Sequence, residues 1–227
     1  ILLKLNIKNI LVNLNHHSDI VKEFLSRDRF KSYIDYVEEE SLLGTAGTLL
    51  ENANYFKGCV VMLIHGDNWS QCDFEFFLDF HLNHKPDHCS ITMMTFQTDN
   101  PESCGIVELD NENILINLHE KVKNPPGDIA NAAVFLLDPD VISWLKDNPE
   151  CKDFSKDVLP NFYGRTVAWH NKDIHRDIGS EVNLKLAQLD PKPESIWNEK
   201  DEWAYWFKEN KIHKLLDQSF SKLTNNE

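Results

Sequence analysis

The chain has 227 residues, of which 41% are hydrophobic and 26% charged, as in a globular protein that buries a sizeable core. Its formal net charge of −14 argues against nucleic-acid binding through a basic surface. No apolar run approaches the roughly 18 residues of a membrane span, and residues 1–15 lack the pattern of a signal peptide. The cysteines are scattered and form no C-x-x-C pair, which indicates reduced thiols. We therefore expect a cytoplasmic protein with neither nucleic acid nor membrane as partner.

The first part of the chain alternates strand and helix patterns. Residues 1–6 resemble the end of a helix, and the run at 59–64 is almost continuously apolar, which is typical of a parallel strand covered on both faces. Strands are predicted at 10–15, 32–37, 59–64 and 90–96, and helices at 20–25, from 44 onward and at 73–82. This order predicts an α/β fold with a mixed, mainly parallel central sheet and helices on both faces.

The second part is less regular. Strands are predicted at 106–108, 114–116, 132–137 and 166–169, with helices at 141–145, 154–159 and 180–189. From residue 190 onward, proline, tryptophan and charged residues dominate, and 202–216 is predicted as an amphipathic helix that packs back on the domain or mediates a contact. The expected division is one domain over 1–189 and a helical C-terminal tail over 190–227.

Two segments favour phosphate chemistry. Gly44-Thr45-Ala46-Gly47 opens a helix after a strand, where backbone N–H groups favour an anion, although a helix start that merely tolerates glycine gives the same pattern. Asp67 follows the apolar run at 59–64, at the strand end where open α/β sheets bind ligands. A carboxylate there suits Mg²⁺, and the alternative is an aspartate that caps a turn.

Three further segments contain glycine, paired charges or an amide at predicted strand ends. Gly105 precedes the strand at 106–108, and the adjacent Glu120 and Lys121 follow the strand at 114–116. Asn131 precedes the strand at 132–137, and a second aspartate, Asp177, lies before a glycine turn into a helix. Each signal is weak, because a turn or a solvated edge explains it equally well.

The ordered set of motifs resembles the nucleotidylyltransferase family that makes nucleotide-sugars. The family carries L-G-T-A-G, then G-D at a strand end, C/Y-G-I/V-V, E-K, a-N-A-G/A and D-I-G-T/S. All occur here in this order, over about residues 1–188. The resemblance implies a Rossmann-like nucleotide-diphospho-sugar transferase fold. It also implies attack by a sugar-1-phosphate on the α-phosphorus of a nucleoside triphosphate, with release of pyrophosphate, and a possible homo-oligomer.

The resemblance assigns the charged residues to catalysis. Asp67 and Asp177 match the family's metal-binding aspartates, which implies Mg²⁺ as the cofactor. Lys121 matches the lysine that contacts the sugar phosphate. An acidic protein that handles phosphates is expected to depend on such a cation.

The same resemblance assigns substrate contacts. Glu120, Asn131 and the backbone of Gly105 match contacts to the sugar. The residues that match the segment along the base and ribose are Gly44, Thr45, Ala46 and Gly47.

The choice of base depends on Glu39. Thymidylyl enzymes of the family tend to carry glutamine five residues before the glycine that matches Gly44, and here Glu39 stands in that place. Guanine presents two adjacent donors that a carboxylate accepts together, so Glu39 favours GTP. The resemblance to guanylyltransferases implies mannose- or heptose-1-phosphate as the acceptor. The alternatives are that Glu40 or neither residue faces the base, that the enzyme is a thymidylyl- or uridylyltransferase, or that the protein is a non-catalytic nucleotide-sugar-binding relative.

The family's N-terminal G-x-G-T-R loop has no counterpart in the chain. Residues 1–15 resemble the helix and strand that come next in the family, so we expect the first strand and the phosphate loop to precede residue 1. His81, His84 and His88, with Cys89 beside them, suggest a zinc site, but Pro86 breaks the helix before His88. We therefore predict surface histidines.

Overall fold

The computed structural model describes residues 2–7 and 9–192. Within them, strands and helices alternate as far as residue 97, apart from two consecutive strands at 61–71, and strands dominate thereafter. The strands are β1 (Ile10–Leu14), β2 (Ile34–Glu38), β3 (Val61–Ile64), β4 (Asn68–Gln71), β5 (Ile91–Gln97), β6 (Gly105–Leu109), β7 (Leu115–Glu120), β8 (Ile129–Leu137), β9 (Thr166–His170) and β10 (Ile174–Asp177). The α-helices are α1 (Ser18–Leu25), α2 (Gly44–Glu51), α3 (Phe74–Asp79), α4 (Pro139–Asp147) and α5 (Glu181–Leu189). Shorter helical turns span Phe80–His84, Pro101–Ser103, Phe154–Val158 and Leu159–Phe162.

The main sheet has six strands in the order β7-β6-β8-β5-β9, with β3 also paired to β8. The long β8 pairs with β5 along one edge, while its other edge pairs first with β6 and then with β3. From these pairings, β3, β5, β6 and β9 run in one direction and β7 and β8 run in the other. The predicted mixed α/β fold is confirmed, although sequence analysis did not foresee that an antiparallel β8 separates β3 from β5.

The core has two layers, one on each face of this sheet. Met93 and Met94 are neighbours on β5 and both are fully buried, because successive side chains point to opposite faces. Met93 packs in a cluster with residues of α2 and α4, and Met94 packs with Phe74 and Phe77 of α3. The predicted helices on both faces are therefore present, and they explain why the central strands are almost entirely apolar.

Two small sheets stand beside the main one. β1 and β2 are a parallel pair, from Ile10 opposite Ile34 to Leu14 opposite Glu38. β4 and β10 form an antiparallel ribbon in which Asn68 lies opposite Asp177. Sequence analysis predicted both strands of the first pair but placed them in the central sheet. It did not predict the ribbon, whose strands are four residues long and mostly polar.

Other differences from the sequence predictions are local. Residues 2–6 form turns rather than the end of a helix. The helical tail predicted at 190–227, including the helix at 202–216, falls almost wholly on residues 193–227, outside the described part of the chain. Among the described residues, no helix has both the length and the apolar character to cross a membrane.

The predicted surface histidines are confirmed at positions 84 and 88 only. His81 is 1% exposed, its Nδ1 lies 2.8 Å from Thr92 Oγ1, and its Nε2 faces Asp138 Oδ1 at 3.2 Å. The surface prediction is wrong for His81, which is the second residue of the wide helical turn Phe80–His84 and is buried against Thr92 and Asp138. No group of three or more His, Cys, Asp or Glu residues able to hold a metal occurs in the described part of the chain, and this gives the zinc alternative no support.

Candidate active site

The β4–β10 ribbon places the two predicted metal-binding aspartates together. Asp67 directly precedes β4, and Asp177 is the last residue of β10. The backbone N–H of Ile178 donates to the carbonyl of Asp67 at 2.8 Å, which continues the ladder one step past the Asn68–Asp177 pair. Both aspartates therefore lie at the same end of the ribbon.

Their carboxylates converge beside Gly179. The N–H of Gly179 donates to Asp177 Oδ1 at 2.8 Å and fixes that side chain. A Cβ added to Gly179 would lie 2.9 Å from Asp177 Oδ1 and 3.8 Å from Asp67 Oδ2. The two carboxylates thus face one small space, which glycine leaves open.

The donor set of this space suits Mg²⁺. Two carboxylates supply hard oxygen ligands, and Mg²⁺ is commonly held by one or two carboxylates together with water and substrate phosphates. A structural zinc site would instead need four nitrogen or sulfur ligands. Because no third acidic, His or Cys side chain joins the pair in the described part of the chain, a ligand would supply the remaining oxygens.

The three predicted sugar-binding residues lie in one row across the main sheet. Gly105 on β6 pairs with Glu120 on β7, and the pairing of β6 with β8 puts Gly105 level with Asn131. Asn131 in turn pairs with Thr95 on β5. A Cβ on Gly105 would lie 2.6 Å from Glu120 Oε1, so glycine at this position makes room for the Glu120 carboxylate.

Lys121 follows this row at the end of β7. The lysine is exposed, and its backbone N–H donates to the carbonyl of Cys104 at 3.1 Å. Its φ of 49° lies in the left-handed region, which is uncommon for a residue with a side chain. Such conformations cluster at ligand sites, which agrees with the predicted phosphate contact.

A bulge in β8 connects the aspartate pair to the row. Ala133 has a φ of 52°, its N–H donates to Asn131 Oδ1 at 2.9 Å, and the register between β8 and β5 shifts here. Asn68 Nδ2 donates to the carbonyl of Ala132 at 2.8 Å. Asn68 therefore ties the aspartate end of the ribbon to the bulge beside Asn131. Sequence analysis gave Asn68 no role, although its place directly after Asp67 was a usable signal.

The glycine-rich segment is occupied by the chain itself. The N–H groups of Ala46 and Gly47 donate to the carbonyl of Lys152 at 2.8 and 3.4 Å, and Thr45 Oγ1 accepts from the backbone N–H two residues after Lys152 at 2.8 Å. Gly44 has a φ of 80°, and a Cβ there would collide with the same carbonyl. These bonds satisfy the N–H groups of Ala46 and Gly47, two of the donors that the start of α2 leaves free.

Glu39 is likewise bonded within the protein. The residue is 7% exposed, and its Oε1 accepts from Thr48 Oγ1 at 2.5 Å and from Asn13 Nδ2 at 3.4 Å. Its Oε2 accepts from the backbone N–H of Leu43 at 3.2 Å. A carboxylate has about four acceptor positions, so Glu39 retains roughly one, whereas guanine presents two donors.

A family model described as nucleotidyl transferase matches residues 1–190. The chain belongs to the nucleotidyl transferase family. The resemblance predicted from the ordered motifs is thereby confirmed. The aspartate pair and the row of predicted sugar-binding residues lie in a fold of this family.

Curated relatives of this nucleotidyl transferase act on different sugars and bases. The mannose-1-phosphate guanylyltransferase of Mycobacterium tuberculosis is 30% identical over 161 residues, which cover 69% of this chain and 44% of that protein. The glucose-1-phosphate adenylyltransferase of Lachnospira eligens is 26% identical over 163 residues, which cover 65% of this chain and 38% of that protein. The chain thus spans less than half the length of either relative.

Solved structures show the same fold. A putative glucose-1-phosphate thymidylyltransferase from Bacillus anthracis, in complex with a sucrose, superposes with a TM-score of 0.72 at 22% identity, over 86% of this chain and 81% of that one. HddC from Yersinia pseudotuberculosis superposes with a TM-score of 0.69 at 23% identity, over 82% and 80%. At these identities the likeness concerns the fold.

Proposed function

We propose that this nucleotidyl transferase joins a sugar-1-phosphate to the nucleotidyl group of a nucleoside triphosphate and releases pyrophosphate. The observation that carries the proposal is the convergence of the Asp67 and Asp177 carboxylates on the space beside Gly179. Two carboxylates that face one space repel each other unless a cation lies between them. A phosphate substrate that brings Mg²⁺ removes that repulsion.

The chain's own residues position the substrates. Lys121, exposed at the end of β7, holds the sugar phosphate and offsets its charge as it attacks. Glu120 and Asn131 lie in the row beside Lys121. The Glu120 carboxylate accepts hydrogen bonds from sugar hydroxyls, and the Asn131 amide donates to them or accepts from them. Nucleotidyl transfer needs this kind of positioning and charge neutralisation rather than a covalent intermediate.

Asp67 and Asp177 would hold Mg²⁺, which supplies Lewis-acid stabilisation of the phosphate charge when bound. The ribbon ladder holds the backbone of both residues in register before a cation binds. This arrangement lowers the cost of reorganising the site.

For the donor we propose GTP, with mannose-1-phosphate or a heptose-1-phosphate as acceptor. The support is the 30% identical relative, whose name gives mannose-1-phosphate and a guanylyl group. Glu39 gives less support than the sequence suggested, because three donors of the protein already occupy its carboxylate. Other proteins similar to this chain have adenylyl- and thymidylyltransferase names, so ATP and dTTP are tested beside GTP.

The test is pyrophosphate release by the full-length protein, with Mg²⁺, each of GTP, ATP, dTTP and UTP, and each of mannose-, heptose- and glucose-1-phosphate. We expect release with GTP and a manno-configured sugar phosphate, and its loss in Asp67→Ala and Asp177→Ala. Preference for another nucleotide would overturn the donor assignment and leave the reaction intact. A folded full-length protein that releases no pyrophosphate with any pair would make it a non-catalytic relative.

A further inference from the structure

The β4–β10 ribbon is bound from outside by one carboxylate, that of Asp190. Asp190 follows α5 directly and belongs to neither strand of the ribbon. Trp69 Nε1 on β4 donates to Asp190 Oδ2 at 3.0 Å. Arg176 on β10 donates from Nε to Oδ2 and from a terminal nitrogen to Oδ1, both at 2.7 Å. A single side chain therefore joins the two strands.

These bonds belong to the strong class. Arginine and carboxylate meet in the bidentate geometry, which adds directional specificity to the charge attraction. The Asp190 side chain is 7% exposed and that of Arg176 is 29% exposed, so water screens the pair less than it screens an ion pair on an open surface. The Arg176 guanidinium lowers the pKa of Asp190, and Asp190 in turn raises the pKa of Arg176. Loss of Asp190 would leave Arg176 without its counter-ion.

Trp69 and Arg176, the two residues that bind Asp190, lie next to the aspartate pair in the ribbon. Trp69 and Arg176 are directly opposite each other in the ribbon, and the next pair is Asn68 with Asp177. The contacts of Asp190 are thus with Arg176, one residue from Asp177, and with Trp69, two residues from Asp67.

The opposite face of the ribbon is held by the main sheet. Ser70 Oγ lies 2.6 Å from His175 Nδ1, and the His175 ring packs 4.4 Å from the Phe96 ring of β5. Because side chains alternate along a strand, this pair and the Trp69–Arg176 pair lie on opposite faces. The main sheet therefore contacts one face of the β4–β10 ribbon, and Asp190 binds the other face. A neighbouring contact adds to it, since Gln71 Nε2 donates to the carbonyl of Pro191 at 2.5 Å.

We propose that Asp190 is a positioning residue for the Asp67–Asp177 pair. It touches neither carboxylate, and it sets their separation by fixing β4 against β10. The inference rests on the proposed function, in which these carboxylates hold Mg²⁺. Its consequence is that a change at Asp190 weakens cation binding while the residues that face the substrates stay the same.

The experiment compares Asp190→Asn with Asp140→Asn in the full-length protein. Asp140 is also bound by an arginine, with Arg165 2.7 Å away, but at the amino ends of β5 and β9. Mn²⁺ alone is the probe, and its binding is followed by electron paramagnetic resonance. Pyrophosphate release is measured against Mg²⁺ concentration in parallel.

We expect Asp190→Asn to bind Mn²⁺ about tenfold more weakly, since residues that orient metal ligands typically contribute 10–100-fold to affinity. Its rate should recover as Mg²⁺ is raised, so the half-saturating Mg²⁺ concentration rises and kcat does not fall. Asp140→Asn should match the wild type in both measurements. Equal behaviour of the two variants would overturn the proposal.

Asp67→Ala separates this proposal from the proposed function. If Asp67→Ala binds Mn²⁺ as well as the wild type, the aspartate pair is not the cation site and both proposals fail. If Asp67→Ala loses binding and Asp190→Asn keeps it, only the positioning role fails. Should Asp190→Asn not fold, Trp69→Phe decides, because it removes one donor to Asp190 and should still weaken Mn²⁺ binding several-fold.

Discussion

The two ends of the main sheet use the same residue types in different ways. At the amino ends of β5 and β9, charged groups are paired with one another: Arg165 donates to Asp140 and Ser90, and Lys85 Nζ lies 2.9 Å from Asp138 Oδ2. At the other end, the carboxylates of Asp67 and Asp177 face a common space. The first arrangement satisfies its own charges, whereas we propose that a cation brought by a ligand neutralises the second.

The difference teaches how to separate structural from functional charge in this chain. A carboxylate that already has a cationic partner contributes to folding, and its removal should lower stability. A carboxylate pair without an internal cation contributes to binding, and its removal should lower activity at little cost in stability. Each prediction below tests one side of this distinction.

The largest effect is expected for Asp67→Ala. The Asp67 carbonyl accepts the N–H of Ile178, and the substitution leaves this backbone bond in place. Since the cation contributes several kcal/mol to the transition state, kcat/KM should fall about 10³-fold. The free energy of unfolding, from urea titration, should change by no more than about 0.5 kcal/mol. A large loss of stability would show that the aspartate is structural.

The next effect concerns Lys121→Met, which removes the charge and keeps most of the length. We expect kcat/KM for the sugar phosphate to fall about 100-fold, the usual cost of losing one group that stabilises a developing charge. Lys123→Met is the matched control, because Lys123 is exposed in the same turn. Similar losses in both variants would indicate a general charge effect of this turn.

On the opposite end of the sheet, Asp138→Ala should lower stability and spare activity. It takes away the partner of Lys85 and leaves the buried His81 without the carboxylate that faces Nε2. We expect a loss of about 2 kcal/mol in the free energy of unfolding, as for hydrogen bonds to charged groups. Asp87→Ala, at an exposed position nearby, should change little. A fall in kcat/KM per folded molecule would break the distinction between the two ends.

The smallest effect is a pH dependence at the same end. Burial lowers the pKa of His81, an effect that Lys85 reinforces and Asp138 partly offsets. The unfolded chain therefore takes up a proton near pH 6.5 that the folded protein does not, so stability is full above that pH and declines as the pH falls below it. Urea midpoints at pH 7.5 and 5.5 should differ less in His81→Gln than in the wild type. We assign the pH dependence of stability that remains in His81→Gln to His175, because burial lowers the pKa of His175 to about 4. An unchanged slope in His81→Gln would contradict this account.

The sequence predicted the family and the mixed α/β fold, because strand ends and glycines leave local signals; its assignment of the site residues stays a prediction. It did not predict how Asp67 and Asp177 meet, since the strands that join them are too short and polar to show a period. Nor did it predict that the Lys152 carbonyl would occupy the start of α2, because that contact joins residues far apart in the chain. A glycine that leaves room for a ligand and one that leaves room for a carbonyl look alike in a sequence.

The change of partner along β8 has a consequence for how this fold diversifies. One edge of β8 serves β6 near Ala130 and β3 from Val134 onward, so the sheet forks at the bulge between them. One branch carries Glu120 and Lys121, and the other leads to Asp67. In the proposed function the first branch contacts the sugar, so insertions after Lys121, between β7 and β8, are expected to change the sugar contacts and to leave the aspartate pair in place. Under that proposal, preference for the acceptor can change in one branch of the fork while the cation site in the other stays the same.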